Sequence, residues 1–319
     1  MTPLSPWLAR AGAWSLVLLL AACGVSRPGR QTASGGDRLQ VVTTVLPITL
    51  FTRAVAGDCA TVTSLIPANL GPHDFQARPA DLVALRQARV LVKNGLGMEG
   101  FLDTLVAAAD NPRLMVLDSS KGVATLAAEA PDTRHGHGHA HPHDHGAVNP
   151  HVWLDPLRAV QQVAAIRDGL VTADPGCADG YRRNAAAYSA QLRQLNSDLA
   201  RELKPYAGQT FVAFHDFAPY FAQRYGLRVA ALVDVPDLNP APADLQRVAA
   251  EVKRSRLRAL VSEPQEGNRS FNALARDLGI KVVVFDPIET ATSDASRDPA
   301  TYLTLMRRNG AVLRQAFGS

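Results

Sequence analysis

The chain has 319 residues, of which 47 % are hydrophobic and 19 % are charged, and its formal net charge at pH 7 is +4. This is the composition of a globular protein that is large enough for two domains. Its basic residues are scattered among Ala and Leu in stretches such as 182–201, without the regular aromatic interleaving of a nucleic-acid surface. The composition therefore does not support nucleic-acid binding.

Residues 1–23 have the pattern of a lipoprotein signal peptide. A single basic residue, Arg10, precedes the apolar stretch 11–20, and Leu-Ala-Ala then precedes Cys23. The apolar stretch is too short to span about 30 Å of hydrocarbon. The end of the segment resembles the bacterial lipoprotein cleavage site, at which Cys23 becomes the lipidated first residue; an ordinary cleaved signal peptide is the alternative. Residues 24–37, rich in Gly, Ser, Arg and Gln, are expected to form a flexible tether.

From residue 39 onwards, short apolar runs alternate with amphipathic stretches. This alternation predicts an α/β fold of two lobes, each a mainly parallel sheet with flanking helices. The predicted strands are 41–46, 62–66, 90–92, 210–214, 228–233, 259–262 and 281–285. The predicted helices are 48–56, 79–87, 219–225, 243–255 and 271–278.

Residues 178–204 place apolar side chains three and four positions apart, with no Gly or Pro after Gly180. This spacing predicts one rigid helix of roughly 40 Å, long enough to run along both lobes, so that a cleft between them opens only slightly. The predicted organisation is a signal peptide over 1–23, a tether over 24–37, a first lobe over 38–174, a connecting helix over 175–205 and a second lobe over 206–319.

Two further cysteines, Cys59 and Cys177, lie at the boundaries of predicted elements. An oxidising compartment outside the cytoplasm allows two such thiols to pair, and neither position prevents a bridge between surface loops. The sequence leaves two alternatives open, a disulfide or two unpaired thiols.

Six of the nine histidines fall at alternate positions in one eleven-residue run, inside a predicted loop over 132–147. They are His135, His137, His139, His141, His143 and His145. Gly, Pro, Ala and Asp separate these imidazoles, a composition that cannot pack a core and that predicts a mobile segment able to gather metal ions. A flexible run should bind metal more weakly than a preorganised site.

The other three histidines, His73, His151 and His215, each stand alone beside an apolar run. His73 and His215 follow predicted strands, as does the carboxylate of Asp286. Because parallel strands present ligands at their carboxyl ends, we expect the four side chains to converge at the cleft as a tetrahedral or slightly expanded zinc site. Imidazole suits zinc, copper, nickel and iron better than magnesium or calcium.

Several of these residues belong to short motifs. The motifs are Gly71-Pro72-His73-Asp74-Phe75-Gln76 with Arg78-Pro79-Ala80-Asp81, Lys93-Asn94-Gly95-Leu96-Gly97-Met98-Glu99, Asn149-Pro150-His151-Val152-Trp153-Leu154-Asp155-Pro156, Phe214-His215-Asp216 and Phe285-Asp286-Pro287. In this order they resemble the motifs of the zinc- and manganese-specific solute-binding proteins of ABC importers, from residue 39 to the C-terminus. The resemblance implies a metal held between two α/β lobes, with His73, His151, His215 and Asp286 as its ligands.

Two features favour the zinc branch of that family. Manganese-type relatives usually have a glutamate where this chain has His215, and a histidine-rich tract before the second ligand is also typical of the zinc branch. One departure is Gly71, which stands where the family usually has an acidic residue, so Asp286 or water must complete the metal shell. Trp153 and Phe217, each close to a ligand, are expected to be apolar walls that keep the site dry.

The resemblance implies an extracytoplasmic receptor, in the periplasm or at the cell surface, that carries Zn(II) as cargo. Its partners would be an ABC permease with its ATPase and the membrane to which a lipid on Cys23 attaches it. We expect a monomer that is not an enzyme and that binds no nucleic acid.

Three alternatives stay open: a manganese or iron receptor of the same family, a periplasmic zinc buffer based on the histidine tract, and a zinc hydrolase with Glu263 as general base. The chain contains no H-E-x-x-H pattern. Residues 95–100 match the dinucleotide pattern G-x-G-x-x-G, with Asp118 about twenty residues later. Because they follow about the third strand of a lobe and also resemble a family motif, we interpret them as structural.

Overall fold

The computed structural model describes residues 38–128, 148–233, 242–255, 257, 259–264 and 269–318. The predicted signal peptide with Cys23, the tether and the six histidines at 135–145 lie outside these described residues, so they stay predictions. The two lobes described below belong to one compact unit, 38–319.

The first lobe is a parallel sheet with helices on both faces. Its elements are β1 (Leu39–Thr43), α1 (Leu46–Ala56), β2 (Ala60–Ser64), α2 (Pro79–Gln87), β3 (Val90–Lys93), α3 (Leu102–Ala109) and β4 (Met115–Asp118). The strand order is β2-β1-β3-β4. The central strand β3 reads as a short apolar run because it is covered on both faces. α2 begins at Pro79, where the Asp81 carboxylate accepts a hydrogen bond from the backbone N–H of Arg78 at 2.7 Å.

Two long helices follow, α4 (Pro156–Ala173) and α5 (Ala178–Leu203). α5 buries one stripe of side chains spaced three and four residues apart, from Tyr181 to Leu203, and this stripe packs against α1 and α4. Its other faces are polar, as expected for a helix on the surface of a core. Within the described residues, no helix combines the length and the apolar character needed to cross a membrane.

The second lobe repeats the architecture of the first. Its elements are β5 (Thr210–His215), α6 (Pro219–Arg224), β6 (Arg228–Val233), α7 (Pro242–Ser255), β7 (Ala259–Ser262), α8 (Arg269–Leu278), β8 (Lys281–Val284) and α9 (Ala300–Gly318). The strands are parallel in the order β6-β5-β7-β8. Counted within each lobe, both sheets therefore have the order 2-1-3-4, and the loops after the strands gather at one edge of each sheet.

α5 connects the two lobes because α9 packs against it as well. The Tyr188 hydroxyl donates a hydrogen bond to the carbonyl of Pro299 at 2.9 Å. Gly310 of α9 lies so close to Leu199 of α5 that an added Cβ would clash with the leucine side chain. The predicted fold of two parallel-sheet lobes joined by one long helix is confirmed.

Cys59 and Cys177 form a disulfide, which decides between the two alternatives that the sequence leaves open. Their Cα atoms are 6.1 Å apart, although 118 positions separate them in the chain. Cys59 directly precedes β2 and Cys177 directly precedes α5, so the bridge fastens the start of the connecting helix to the first lobe. Gly180 lies against it, since an added Cβ would be only 3.0 Å from Cys59 Sγ.

Replacing both cysteines, Cys59→Ser with Cys177→Ser, should lower the free energy of unfolding by about 2 to 5 kcal/mol, because a cross-link over a long segment restricts the unfolded chain. Urea unfolding followed by circular dichroism measures this loss. The matched control is the wild-type protein with a reductant, which should lose a similar amount, while the double variant should not respond to the reductant. An unchanged unfolding midpoint in the double variant would contradict the stabilising role of the bridge.

Candidate metal centre

The three isolated histidines converge between the lobes. His73 lies in a short 3-10 turn after β2, His151 lies just before a second such turn, and His215 is the last residue of β5. The imidazole centroids are 6.3 Å apart for His73 and His151, 5.7 Å for His73 and His215, and 5.3 Å for His151 and His215. The structure therefore brings all three sequence-predicted histidines to one point.

The carboxylate that joins them is Glu289. Its Oε1 lies 3.1 Å from Nε2 of His151, 3.7 Å from Nε2 of His73 and 3.9 Å from Nε2 of His215. One ligand atom from each of the four side chains lies within 4.8 Å of all the others. Ligand atoms on a tetrahedral zinc ion are roughly 3.3 Å apart, so only small side-chain shifts separate this arrangement from a complete metal shell.

Asp286, the fourth ligand predicted from the sequence, is not one of the four side chains in this group. The Asp286 Oδ1 instead accepts a hydrogen bond from the backbone N–H of Ile288 at 2.7 Å. Asn309 of α9 fixes the main chain of Asp286 on both sides, at 2.8 Å to its N–H and 2.7 Å to its carbonyl. Burial raises the pKa of the Asp286 carboxyl to about 6.

The backbone of Ile288 explains why the carboxylate three residues later reaches the histidines. Ile288 is fully buried and has a φ of 64°, a left-handed conformation that costs a β-branched residue about 1 to 3 kcal/mol. The hydrogen bond from its N–H to Asp286 and the buried surroundings hold this turn. The turn redirects the chain after Pro287 and aims Glu289 at the imidazoles, so Asp286 is a positioning residue for Glu289.

Hydrogen bonds on the far side of two imidazoles orient them. Nδ1 of His215 lies 2.6 Å from Oε1 of Glu263, and Nδ1 of His151 lies 3.0 Å from Oδ1 of Asn149. Such partners favour a proton on Nδ1 and direct Nε2 to the metal. Asn149 also donates from its amide to the carbonyl of Asp216 at 2.6 Å and to its carboxylate at 3.0 Å, which ties the His151 segment to the residue after His215.

Burial and neighbouring charges set different protonation states for the group. Burial lowers the pKa of His151 to about 4. Burial acts in the same direction on His215, but the charge and hydrogen bond of Glu263 outweigh it and raise that pKa to about 9. Burial opposes ionisation of Glu289, yet hydrogen bonds with His151 and His73 hold its pKa well below the usual range. At neutral pH the metal-free group therefore contains an ionised Glu289 and a protonated His215.

The donor set fits a borderline transition metal. Three imidazoles and one carboxylate are ligands of zinc, copper, nickel and iron, whereas magnesium and calcium require oxygen shells. Nε2 of His215 is buried and makes no hydrogen bond to any described residue, as expected for an atom that is placed to bind a metal. Exposure is 9 % for His73, 0 % for His151 and His215, and 3 % for Glu289, so water has little access.

The segment that carries His151 joins the two lobes. Nε1 of Trp153 donates to the carbonyl of Pro287 at 2.8 Å, and the hydroxyl of Tyr302 donates to the carbonyl of Trp153 at 2.6 Å. Asp155, which caps the N-terminus of α4, accepts two hydrogen bonds from Arg224 of α6 at 2.8 and 2.6 Å. These contacts place His151 against the second lobe although α4 packs on the first.

Trp153 and Phe217 stand beside the imidazoles as the sequence predicts. Both side chains are fully buried. The Trp153 ring lies 5.1 Å from the His151 ring, and the Phe217 ring lies 5.1 Å from the His215 ring. They form apolar walls of the site.

The G-x-G-x-x-G segment supports the first lobe. Gly95 and Gly97 adopt φ values of 86° and 82°, and the Glu99 carboxylate accepts hydrogen bonds from the N–H groups of Asn94 at 2.7 Å and Gly95 at 3.0 Å. These N–H groups are therefore occupied and do not face a phosphate. The Asn94 side chain donates to the carbonyl of Pro150 at 3.1 Å, which supports the segment that carries the second histidine.

The geometry above can be compared with known proteins. The sequence model of ZnuA, described as "Zinc-uptake complex component A periplasmic", matches residues 41–316. The chain belongs to the ZnuA family. This membership confirms the resemblance seen in the motifs and agrees with the prediction that the chain is not an enzyme, since the family is a component of zinc uptake.

Two relatives show how much of this chain can be aligned with other zinc-binding proteins. The high-affinity zinc uptake system protein ZnuA of Bacillus subtilis (strain 168) is 30 % identical over 301 residues, which cover 94 % of both proteins. The zinc-binding lipoprotein AdcA of Streptococcus pneumoniae (strain ATCC BAA-255 / R6) is 29 % identical over 302 residues, which cover 93 % of this chain and 58 % of AdcA. The chain therefore spans a little over half the length of AdcA.

Comparison with a solved structure shows that the similarity includes the fold. The SBP FpvC from Pseudomonas aeruginosa in complex with Mn2+ has a TM-score of 0.76 and 27 % sequence identity to this chain, over 88 % of this chain and 99 % of FpvC. The likeness thus covers both lobes and the helix between them.

Two substitutions in one loop test which carboxylate belongs to the site. Glu289→Gln should weaken zinc binding about 30-fold or more, because loss of a buried charged partner costs about 2 to 5 kcal/mol. Asp286→Asn keeps an oxygen that can accept from the Ile288 N–H, so zinc affinity should fall less than about tenfold. Competition with a chromophoric chelator gives both affinities, and circular dichroism checks the fold. Equal losses in the two variants would show that Asp286 binds the metal as well.

Glu263→Gln tests whether zinc displaces a proton from His215 when it binds. Because the pKa of His215 is about 9, zinc binding at pH 7.5 should release about one proton, and affinity should rise with pH until about pH 9. Without the Glu263 charge, burial lowers the His215 pKa, so proton release at pH 7.5 should approach zero. Calorimetry in two buffers of different ionisation enthalpy measures the released protons. Asp179→Asn at the exposed start of α5 is the control, and proton release that is equal in all three proteins would contradict this account.

Proposed function

We propose that this protein is an extracytoplasmic receptor that captures Zn(II) between its two lobes and delivers it to an ABC permease for import. The observation that carries the proposal is the buried group of His73, His151, His215 and Glu289, whose ligand atoms lie within 4.8 Å of one another. The zinc-uptake family and the zinc-binding relatives support zinc as the cargo.

The ligands in this proposal are Nε2 of the three histidines and the carboxylate of Glu289. Three neutral nitrogens and one anionic oxygen suit the tetrahedral preference and borderline character of zinc. Glu289 completes a four-ligand shell, so neither Asp286 nor water is needed as the fourth ligand.

Capture requires exchange of ligand partners and no covalent chemistry. Zinc takes the position of the proton on His215 and replaces the hydrogen bond between His151 and Glu289. His73 comes from the first lobe while His215 and Glu289 come from the second, so the bound ion draws the lobes together. Separation of the lobes at the permease would reduce the number of ligands and release the ion, and the continuous helix α5 limits that movement to a small angle.

A manganese receptor is the second candidate, because FpvC shares the fold and its structure contains Mn2+. Manganese prefers carboxylate, carbonyl and water oxygens, and the nitrogen of His215 favours zinc over it. A zinc hydrolase is disfavoured because Glu263, the candidate general base, hydrogen-bonds to Nδ1 of His215 at 2.6 Å and is therefore committed to orienting a ligand.

The proposal includes a lipid anchor on Cys23 and a monomeric receptor in the periplasm or at the cell surface. The Leu-Ala-Ala-Cys sequence, the periplasmic family description and the lipoprotein name of AdcA support it. The partners are the permease with its ATPase. The histidines at 135–145 would gather zinc near the receptor without forming the high-affinity site, because a loose run of imidazoles loses more conformational entropy on binding.

A competitive zinc titration tests the receptor, with manganese as challenger. Protein that lacks residues 135–145 should still bind one zinc tightly and prefer it to manganese, because the buried ligands remain. Introducing His215→Ala into the same shortened protein should abolish tight binding, since one of four ligands is lost.

Loss of tight binding on deletion of 135–145 alone would instead identify a zinc buffer. Preference for manganese in the shortened protein would overturn zinc as cargo and favour the second candidate.

A further inference from the structure

Glu289 is one of the residues that line a cavity of about 300 Å³. Its walls are α1, the segment after β2 and residues 289–297, so both lobes contribute to it. Its polar lining includes Arg53, Ser64, Asn69, Glu289, Ser293 and Arg297. Volumes of this order are at the lower end of the range for small-molecule sites.

A second cavity of about 300 Å³ lies beside the same two arginines. Arg53 and Arg297 line both cavities, and the rest of the second cavity is lined by Ala56, Gly57, Ala60, Val62 and Pro299. The two arginines therefore border both spaces at the junction between α1 and the segment that precedes α9.

The charge of Arg53 has no protein counter-ion among the described residues. Its guanidinium donates to the carbonyls of Ser296 at 2.6 Å and Val62 at 3.3 Å, and no described carboxylate forms an ion pair with it. Burial lowers the pKa of Arg53, and the positive charge of Arg297 lowers it further. Two like charges thus lie close together at the border of two cavities.

Arg297 provides a second, exposed guanidinium group beside the two cavities. Its side chain is 72 % exposed, and its ion pair with the exposed Asp294 is long, at 3.7 Å. An exposed pair of this kind contributes little stability, so the guanidinium can turn towards a ligand. Two of the five N–H groups of Arg53 are used on carbonyls, which leaves donors on both arginines.

We propose that Arg53 and Arg297 bind a small oxyanion of charge −2, of the sulfate, phosphate or dicarboxylate class. Guanidinium groups match the geometry of such oxyanions with paired hydrogen bonds. The anion would offset the repulsion between the two arginines. Its site is distinct from the histidine cluster, although Glu289 borders both.

Because Glu289 borders both the cavity and the histidine cluster, anion binding and zinc binding should be coupled. This expectation rests on the proposed zinc function. In the metal-free protein the negative charge of Glu289 faces the cavity and opposes an anion. Zinc on the other side of Glu289 would reverse the sign of this local charge. Anion and zinc should therefore each increase the affinity of the protein for the other by the same factor.

Equilibrium dialysis with radiolabelled sulfate tests the site, on metal-free protein at low ionic strength. Wild type should bind one sulfate saturably, and Arg53→Gln and Arg297→Gln should each weaken binding about tenfold or more. The matched control is Arg201→Gln on the exposed face of α5, which should bind as wild type does. Competition by phosphate and by succinate shows whether tetrahedral or dicarboxylate anions fit better.

Arg53→Gln also removes a hydrogen bond between the lobes, so Arg297→Gln is the decisive variant because its exposed side chain leaves the fold intact. Sulfate affinity that is unchanged in Arg297→Gln, or an absence of saturable sulfate binding in wild type, would overturn the proposal. Because this titration uses metal-free protein, failure of zinc binding would contradict the receptor function alone. Zinc-loaded protein should then bind sulfate more tightly than metal-free protein, and equal affinities would overturn the coupling.

Discussion

The candidate metal centre depends on one ionised carboxylate in the protein interior. Glu289 is 3 % exposed, yet hydrogen bonds with His151 and His73 hold its pKa well below the usual range. An unpaired carboxylate at this depth would cost several kcal/mol in desolvation, so the carboxylate and the surrounding imidazoles stabilise one another. Because His73 and His215 come from different lobes, the attraction between Glu289 and the imidazoles also links the lobes. In the proposed receptor, a divalent ion would preserve this balance of charge by replacing the proton on His215.

The surrounding polar network makes this arrangement rigid before any metal arrives. Asn149 orients His151 and contacts Asp216, while Trp153 and Asp155 connect the same short segment to the second lobe. Apart from Arg224, the partner of Asp155, the residues in this network are buried and hydrogen-bonded, so displacement of one ligand would leave several polar groups unsatisfied. Preorganisation of this kind lowers the entropy lost on binding and favours high affinity.

Much of the fold could be predicted from the sequence, since short apolar runs mark the buried strands and single histidines follow them. The patterns did not predict α3, β4, α4 and α9. In α4, Arg158 and Gln162 lie on the buried face and obscure the apolar stripe. They also point to Asp286 as the fourth ligand, whereas the structure groups Glu289 with the three histidines. Both carboxylates follow β8, and only the left-handed backbone of Ile288, which no residue pattern reveals, decides which of them turns towards the histidines.

The shared strand order of the two lobes gives the chain the character of a covalent pseudo-dimer. In each lobe a buried glutamate follows the third strand: Glu99 supports the His151 segment through Asn94, and Glu263 supports His215. Each lobe thus supplies part of the candidate site, and a glutamate after its third strand supports that part directly or through a neighbour. The connecting helix holds the part from the second lobe at a high and constant effective concentration relative to the part from the first. Both parts of the candidate site are therefore present together at any protein concentration.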